Sequence, residues 1–199
     1  MNTKTKAYRI TIRAVLTALI ILQTMVPFLG YIPLGITSLT IIHITVIVAA
    51  IVLGTKDGMF IGLMWGIFTI IRAFTSPTTP LDTLIFTNPI ISVLPRVLVG
   101  LVAGFLFHWL YSKNKKILPA TITAAVFGTL TNTILVLLFM GLLYTTPLAA
   151  AYSVDPSGLI AVLGGIVVTN GVSEVIGAVI ITPIIVQALF KATSLRPES

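Results

Sequence analysis

The stretch "IISVLPRVLVGLVAG", residues 90–104, decides the fold class, because it sets one arginine among fourteen uncharged neighbours. It belongs to a longer apolar run over residues 88–111. A helix needs roughly 17–25 apolar residues to cross the hydrocarbon core of a bilayer. This run is therefore predicted to be a membrane-spanning helix, with Arg96 as a permanent cation inside it.

The whole chain has the composition of an integral membrane protein. Of its 199 residues, 57% are hydrophobic and 9% are charged, whereas a soluble domain carries about 25% charged residues. There is no cysteine, which excludes disulfides and thiolate chemistry. The net charge of +7 does not indicate nucleic acid binding, because the basic residues lie at the ends of apolar runs rather than in one stripe or tail.

Six apolar runs are long enough to predict membrane-spanning helices. They cover residues 8–27, 36–54, 57–73, 88–111, 118–144 and 158–190. The segments between them are rich in glycine, proline and polar residues, as turns require. We therefore expect one all-α, six-helix transmembrane domain over residues 1–199.

The basic residues predict the orientation of this bundle, because short cytoplasmic connections carry an excess of lysine and arginine. Ten of the twelve fall on one predicted side of the bilayer: Lys4, Lys6, Arg9, Arg13, Lys56, Lys113, Lys115, Lys116, Lys191 and Arg196. Both termini are therefore predicted to be cytoplasmic, in a multi-pass protein of a prokaryotic cell membrane. The rule explains neither Arg72 nor Arg96.

Strong polar residues recur at one depth of the predicted bundle. Arg96 lies 17 positions before Lys113, and Glu174 lies 17 positions before Lys191. At about 1.5 Å per residue, both lie roughly 25 Å from the inner boundary. Similar counting places three further residues in this layer: Arg72, Asn132 and His43. Charges at such depth usually face a protein interior or a cavity, so we expect an outward-opening pocket.

Each of these residues also has a purely structural explanation. Arg96 and Glu174 would form an ion pair, and Arg72 would be solvated at the interface. Asn132 would make interhelical hydrogen bonds. His43 would be a packing residue.

Several classes of active site are not expected. The chain has neither the G-x-x-x-x-G-K-[ST] motif of ATP hydrolysis nor the H-E-x-x-H motif of zinc peptidases. Glu174 is the sole acidic residue predicted to lie inside the membrane, because Asp57 stands at the very start of its span, and His43 and His108 lie at different depths. We therefore expect no metal, no cofactor and no catalysis in this chain. No internal repeat is visible, which favours a binding subunit over a complete transporter.

Small residues four positions apart predict close helix packing. Ala14 and Ala18 share one face of the first predicted span and could dock another helix. Two glycine pairs have the same spacing and favour packing inside the bundle: Gly58 with Gly62, and Gly100 with Gly104.

Together these features resemble the substrate-binding S component of energy-coupling factor (ECF) vitamin transporters. The similarity covers the length near 200 residues, six spans, both ends inside, Ala14-x-x-x-Ala18 and the apolar first connection "PFLGYIPLG" at 27–35. The resemblance implies a subunit that captures a vitamin from outside. It also implies docking through the Ala14 and Ala18 face onto a membrane scaffold, the T component, which carries two cytoplasmic ATPases.

Within that family, residues 39–74 and 86–110 are similar to the pantothenate and hydroxymethylpyrimidine group. We favour pantothenate, because an arginine fork suits a carboxylate in a low-dielectric site. Glu174 opposes this choice if it faces the ligand ionised; it either orients Arg96 from behind or marks a hydroxymethylpyrimidine. The candidate substrate-binding residues are Arg96, Asn132, Thr131, His43, Thr40, Asn170, Glu174 and Arg72.

Two other classes of function compete with a binding subunit. One is a self-sufficient transporter that uses Glu174 as its proton carrier. The other is an intramembrane enzyme acting on a lipid, but no nucleophile stands beside a base in the sequence.

Overall fold

The computed structural model describes residues 3–26, 29–34, 37–77, 80–192 and 195. Arg196 and parts of the predicted first connection (27–28 and 35–36) lie outside this range, as do the side chains of Lys4 and Lys6. The described chain is helical apart from one hairpin. Its elements are α1 (Thr3–Met25), β1 (Tyr31–Leu34), β2 (Thr37–Thr40), α2 (Ile42–Val52), α3 (Thr55–Thr75), α4 (Pro80–Phe86), α5 (Pro89–Ser92), α6 (Leu94–Asn114), α7 (Ile117–Leu143), α8 (Thr145–Ala151) and α9 (Leu159–Ala192).

Five segments of the described chain are helical, long and apolar enough to cross a membrane. They are Ala7–Met25, Thr55–Thr75, Pro89–Asn114, Ile117–Leu143 and Leu159–Ala192. They coincide with the first, third, fourth, fifth and sixth predicted spans. The prediction of an all-helical membrane bundle is therefore confirmed at this level.

The second predicted span, residues 36–54, is wrong in its extent. Residues 37–40 form strand β2, and α2 has only 11 residues. Eleven residues of helix cover about 16 Å, well short of the roughly 30 Å of hydrocarbon. The error has a physical cause: a continuous apolar run has no periodicity that separates a buried strand from a buried helix.

Helix α2 forms the centre of the bundle, because all of its residues are buried. It packs against α1, α3, α6, α7 and α9. The glycine pairs lie inside this packing: a methyl group at Gly62 would clash with the backbone of Arg96, and one at Gly100 would clash with the backbone of Gly58. These glycines therefore let α3 and α6 approach closely, as was predicted from the spacing of the two glycine pairs.

Two tight turns place the lysines together. Gly54, with φ of 108°, joins α2 to α3, and Lys115, with φ of 53°, joins α6 to α7. A left-handed residue of this kind ends a helix within one or two positions. These two turns and the last turn of α9 form one end of the bundle, which we call the lysine-rich end. It carries Lys56, Lys113, Lys115, Lys116 and Lys191. The β-hairpin lies at the opposite end, the hairpin end.

A buried carboxylate fixes α1 at the lysine-rich end. Asp57 is 4% exposed and pairs with Arg9 at 2.9 Å and with Arg13. Arg9 also donates to the backbone oxygen of Leu53. We call these residues, Asp57 with Arg9 and Arg13, the Asp57 cluster. It ties the start of α1 to the turn between α2 and α3.

Candidate functional site

The position of Arg96 follows from a break between two helices. Helix α5 ends at Ser92 and α6 begins at Leu94. Pro95 occupies the first turn of α6, where its missing N–H leaves no hydrogen bond unmade. Arg96 therefore lies in the same turn, and its Nη1 donates to the backbone oxygen of Ile91 in α5. The guanidinium reaches back across the break.

Aromatic rings surround the Arg96 guanidinium. Its carbon lies 5.0 Å from the ring centroid of Trp65 and 5.9 Å from that of Phe86. Such cation–π contacts stabilise a desolvated cation by about 2 kcal/mol. Arg96 is 5% exposed, and among the described residues neither its Nε nor the indole nitrogen of Trp65 has a hydrogen-bond partner. The site thus presents two buried N–H donors that the described chain leaves unused.

Glu174 provides the opposite charge nearby but is held by other groups. Its carboxylate accepts a hydrogen bond from the backbone N–H of Thr40 at 2.8 Å and another from the hydroxyl of Thr133 at 2.8 Å. Glu174 and Arg96 are both buried, but no ion pair among the described residues joins them. The structure therefore does not contain the direct ion pair considered above.

The β-hairpin lies beside this region and is held on two sides. Its strands pair antiparallel, with Tyr31 opposite Thr40. Glu174 of α9 holds the Thr40 side through the backbone. On the other side, Arg72 of α3 lies over the ring of Tyr31 at 4.6 Å, and it is 4.0 Å from Asp82. The hairpin thus spans from α9 to α3.

Two further predicted residues are buried with unused polar atoms. His43 of α2 is 1% exposed and lies near the backbone of Thr40. Neither of its ring nitrogens has a hydrogen-bond partner with good geometry among the described residues. Asn132 of α7 is 6% exposed, and its Oδ1 likewise has no partner within the described chain. Buried polar atoms usually have partners, so these two are candidates for ligand contact.

Two predicted residues use their polar atoms within their own helix. The Thr131 hydroxyl donates to the backbone oxygen of Phe127 at 2.7 Å, on the exposed side of α7. Asn170 is half-buried and accepts from the hydroxyl of its neighbour Thr169 at 3.4 Å. The structure does not join either residue to Arg96.

The structure therefore brings Arg96, Glu174, the Thr40 backbone and Arg72 together around the hairpin. Three other side chains hold them: Thr133, whose hydroxyl the sequence had placed close to the polar layer, and Trp65 and Tyr31, which sequence reasoning did not assign. Thr133 had a signal, as a polar neighbour of Asn132 in an apolar helix. Trp65 and Tyr31 had none, because aromatic residues are common both in membrane cores and at interfaces.

Comparison with known proteins places the chain in a family. Residues 8–186 match the family described as "ECF transporter, substrate-specific component". The chain belongs to this family. The resemblance drawn from the spans and the first connection is thereby confirmed, and the family is one of transport subunits rather than of enzymes.

Two relatives of this S component are similar to it in sequence over nearly their whole length. The pantothenate transporter PanT of Leuconostoc mesenteroides subsp. mesenteroides is 37% identical over 196 residues, which cover 94% of each chain. The pantothenic acid transporter PanT of Lactococcus lactis subsp. cremoris is 35% identical over 202 residues, covering 95% of this chain and 97% of the relative.

Proposed function

We propose that this S component binds pantothenate from outside the cell and delivers it inward as part of an ECF transporter. Both relatives described above are named as transporters of this vitamin. The single structural observation that carries the proposal is Arg96, a buried guanidinium with an unused N–H and with no carboxylate partner among the described residues. A carboxylate ligand would complete its coordination.

Arg96 suits the carboxylate of pantothenate for electrostatic reasons. The guanidinium is a planar fork of N–H donors that matches a carboxylate with two parallel hydrogen bonds. The rings of Trp65 and Phe86 lie against this guanidinium and exclude water from it, so a charge-assisted hydrogen bond is stronger there than in solution. The indole N–H of Trp65 offers a further donor beside it.

Glu174 has its two oxygens engaged by hydrogen bonds from Thr40 and Thr133. We therefore assign it the role of positioning the hairpin rather than of contacting the carboxylate. The Oδ1 of Asn132 has no partner among the described residues and is available for a hydroxyl or the amide of the ligand. His43 is buried beside the Thr40 backbone and stays a candidate contact. Thr131, Asn170 and Arg72 stay sequence-based candidates.

We further propose that the lysine-rich end faces the cytoplasm in the prokaryotic cell membrane, with the hairpin end outside. Ala14 and Ala18 of α1 are both exposed, so their face is accessible to a scaffold helix. This face would dock onto the T component, whose two ATPases supply the energy.

Calorimetric titration of the purified chain in detergent tests the substrate. We expect pantothenate to bind, and pantothenol, in which an alcohol replaces the carboxylate, to bind at least about 30-fold more weakly. Equal binding of both would contradict the role of Arg96. Binding of a hydroxymethylpyrimidine without pantothenate would keep the S component and change its substrate. Uptake into liposomes by this chain alone would instead support a proton-coupled transporter.

The docking face has a separate test. Ala14→Trp should prevent recovery of this chain with the scaffold and ATPases, while pantothenate binding by the isolated chain stays within about twofold. Ala161→Trp is the matched control, because Ala161 is an exposed alanine on α9. Loss of binding with normal assembly would show that the Ala14 face lines the site instead.

A further inference from the structure

A groove at the lysine-rich end lies outside the site described above. It has a volume of ≈ 540 Å³ and lies between the first turn of α7 and the last turns of α9. The residues that line it are Ile117, Leu118, Gln187, Phe190 and Lys191. This volume is within the range of small-molecule sites. Neither pantothenate binding nor docking through α1 uses it.

The described lining of the groove is both apolar and polar: Ile117, Leu118 and Phe190 are apolar, and Gln187 and Lys191 are polar. Lys191 lies in the last turn of α9, and a basic residue at the end of a membrane-spanning helix is expected at the level of the headgroups. Lys116 directly precedes Ile117 at the start of α7. A ligand that fits must therefore combine an apolar body with a negatively charged head.

The charge of this region is uncompensated by the described chain. None of the described residues that line the groove is acidic. The described ion pairs of the protein use Arg9, Arg13 and Arg72, and they involve neither Lys116 nor Lys191. By contrast, the amine of Lys113 lies over the ring of Trp109 at 4.2 Å. Lys116 and Lys191 are thus available for an anion.

Exposed apolar side chains are also found near the groove on both helices. Leu118 is 49% exposed, and on α9 the side chains of Ile184 and Ile185 are 64% and 37% exposed. Acyl chains can lie along such a surface. Basic pockets between transmembrane helices at the cytoplasmic side are known to bind acidic lipid headgroups.

We propose that this groove binds an anionic phospholipid of the inner leaflet, with its phosphate at Lys191 and Lys116 and its acyl chains along α7 and α9. The leaflet follows from the orientation proposed above. The lipid contact itself does not depend on which vitamin the protein binds. The lipid would hold the first turn of α7 and the last turns of α9 together, since these lie on either side of the groove.

Native mass spectrometry of the purified full chain tests this proposal. The probes are phosphatidylglycerol and phosphatidylcholine with identical acyl chains. We expect phosphatidylglycerol to be retained at least about fivefold more tightly. Lys191→Gln and Lys116→Gln should each weaken its retention about fivefold, as expected for about 1 kcal/mol per basic residue near the surface. Lys191→Arg should keep it.

Lys113→Gln is the matched control, because it removes the same charge from the same end of the bundle. It should change retention of phosphatidylglycerol less than twofold. Equal losses in the Lys113 and Lys191 variants would overturn the proposal in favour of diffuse attraction. Equal retention of the two lipids by the unaltered chain would also overturn it.

Two further outcomes would show that a free anion or a protein partner, rather than a lipid, occupies the groove. Inorganic phosphate at millimolar concentration should not displace phosphatidylglycerol; displacement by phosphate would show a site for free anions instead. If Lys191→Gln leaves lipid retention unchanged and instead lowers recovery of the assembled transporter, the groove is a protein interface and the lipid proposal is wrong. Pantothenate binding, measured in parallel, reports that each variant is folded.

Discussion

The two ends of the bundle bury charge in opposite ways. In the Asp57 cluster, the buried carboxylate pairs directly with two arginines, whose side chains are 37% and 46% exposed. Around the hairpin, Arg96 and Glu174 are both nearly buried but are held by neutral groups: a carbonyl oxygen and aromatic rings for the cation, an N–H and a hydroxyl for the anion.

This difference separates structural charge from charge available to a ligand. The Asp57 cluster is satisfied by its own chain, so it needs no further partner, and its arginines keep some contact with water. Arg96 has an unused N–H in a region that excludes water. Burying a cation without an anion is costly unless an anion arrives or function requires the arrangement. Burial alone would not have distinguished the two ends.

The largest expected effect is at Arg96. Arg96→Ala should weaken pantothenate binding at least about 100-fold, because removing one partner of a buried charge pair costs about 2–5 kcal/mol. Arg96→Lys should recover part of the affinity, since it restores the charge without the fork. Calorimetry gives the affinities, and size-exclusion chromatography checks that each variant is monodisperse. If Arg96→Ala binds pantothenate as tightly as the unaltered chain, Arg96 has only a structural role, like the charges of the Asp57 cluster.

A smaller effect is expected at Glu174. Glu174→Ala should weaken pantothenate binding about tenfold, because the N–H of Thr40 loses its acceptor and the hairpin loses one of its two attachments. Glu174→Gln is the matched control: its amide oxygen still accepts from Thr40, so we expect a change of less than about threefold. An equal loss in both variants would show that the negative charge of Glu174 is required, rather than its hydrogen bond to Thr40. A gain of affinity in Glu174→Gln would show that this charge repels the ligand.

Thr133 should have a still smaller effect. Thr133→Val removes one hydroxyl hydrogen bond to Glu174 at nearly constant volume, which costs about 1 kcal/mol and should weaken binding about fivefold or less. If Glu174 acts by positioning the hairpin, the effects of Thr133→Val and Glu174→Ala should not add in the double variant. Full additivity would show that the two residues act independently.

The smallest effect on binding is expected at the Asp57 cluster. Asp57→Ala should leave pantothenate affinity within about twofold, because the cluster is at the far end of the bundle. It should lower the free energy of unfolding by about 1–2 kcal/mol, a value discounted because both arginines can regain water. Thermal unfolding in detergent with and without pantothenate measures both quantities. A large loss of affinity would show that the docking helix and the site are coupled.

The sequence predicted what depends on local composition and on depth. Five of the six spans follow from length and hydropathy, and the family follows from their number and connections. Counting along helices predicted Arg96, Asn132 and Glu174 in one layer, and the structure buries all three side chains. The partners of Glu174 could not be predicted, because Thr40 lies 134 positions away in the chain and joins it only through the backbone, which carries no residue-specific signal.

The hairpin was missed for a related reason. Strand β2 runs into α2 within the segment "TSLTIIHITVIVAAIV", residues 37–52, where apolar residues dominate and Ile41 alone separates the two elements. β-Branched residues favour strands yet also occur throughout buried helices. The choice between them depended on tertiary packing. In the same way, the pairing of Asp57 with the arginines of α1 could not be predicted, although the sequence did predict that these basic residues lie on one side of the bilayer.

The shortness of α2 has a consequence for how the protein is made. Insertion into the bilayer during synthesis selects segments hydrophobic and long enough to leave the translocation channel as single helices. A segment of 11 helical residues does not meet that length. Because Leu53 and Gly54 alone separate α2 from α3, the two segments would leave the channel together as one antiparallel pair. The central helix of the finished bundle would then depend on its neighbour for its place in the lipid.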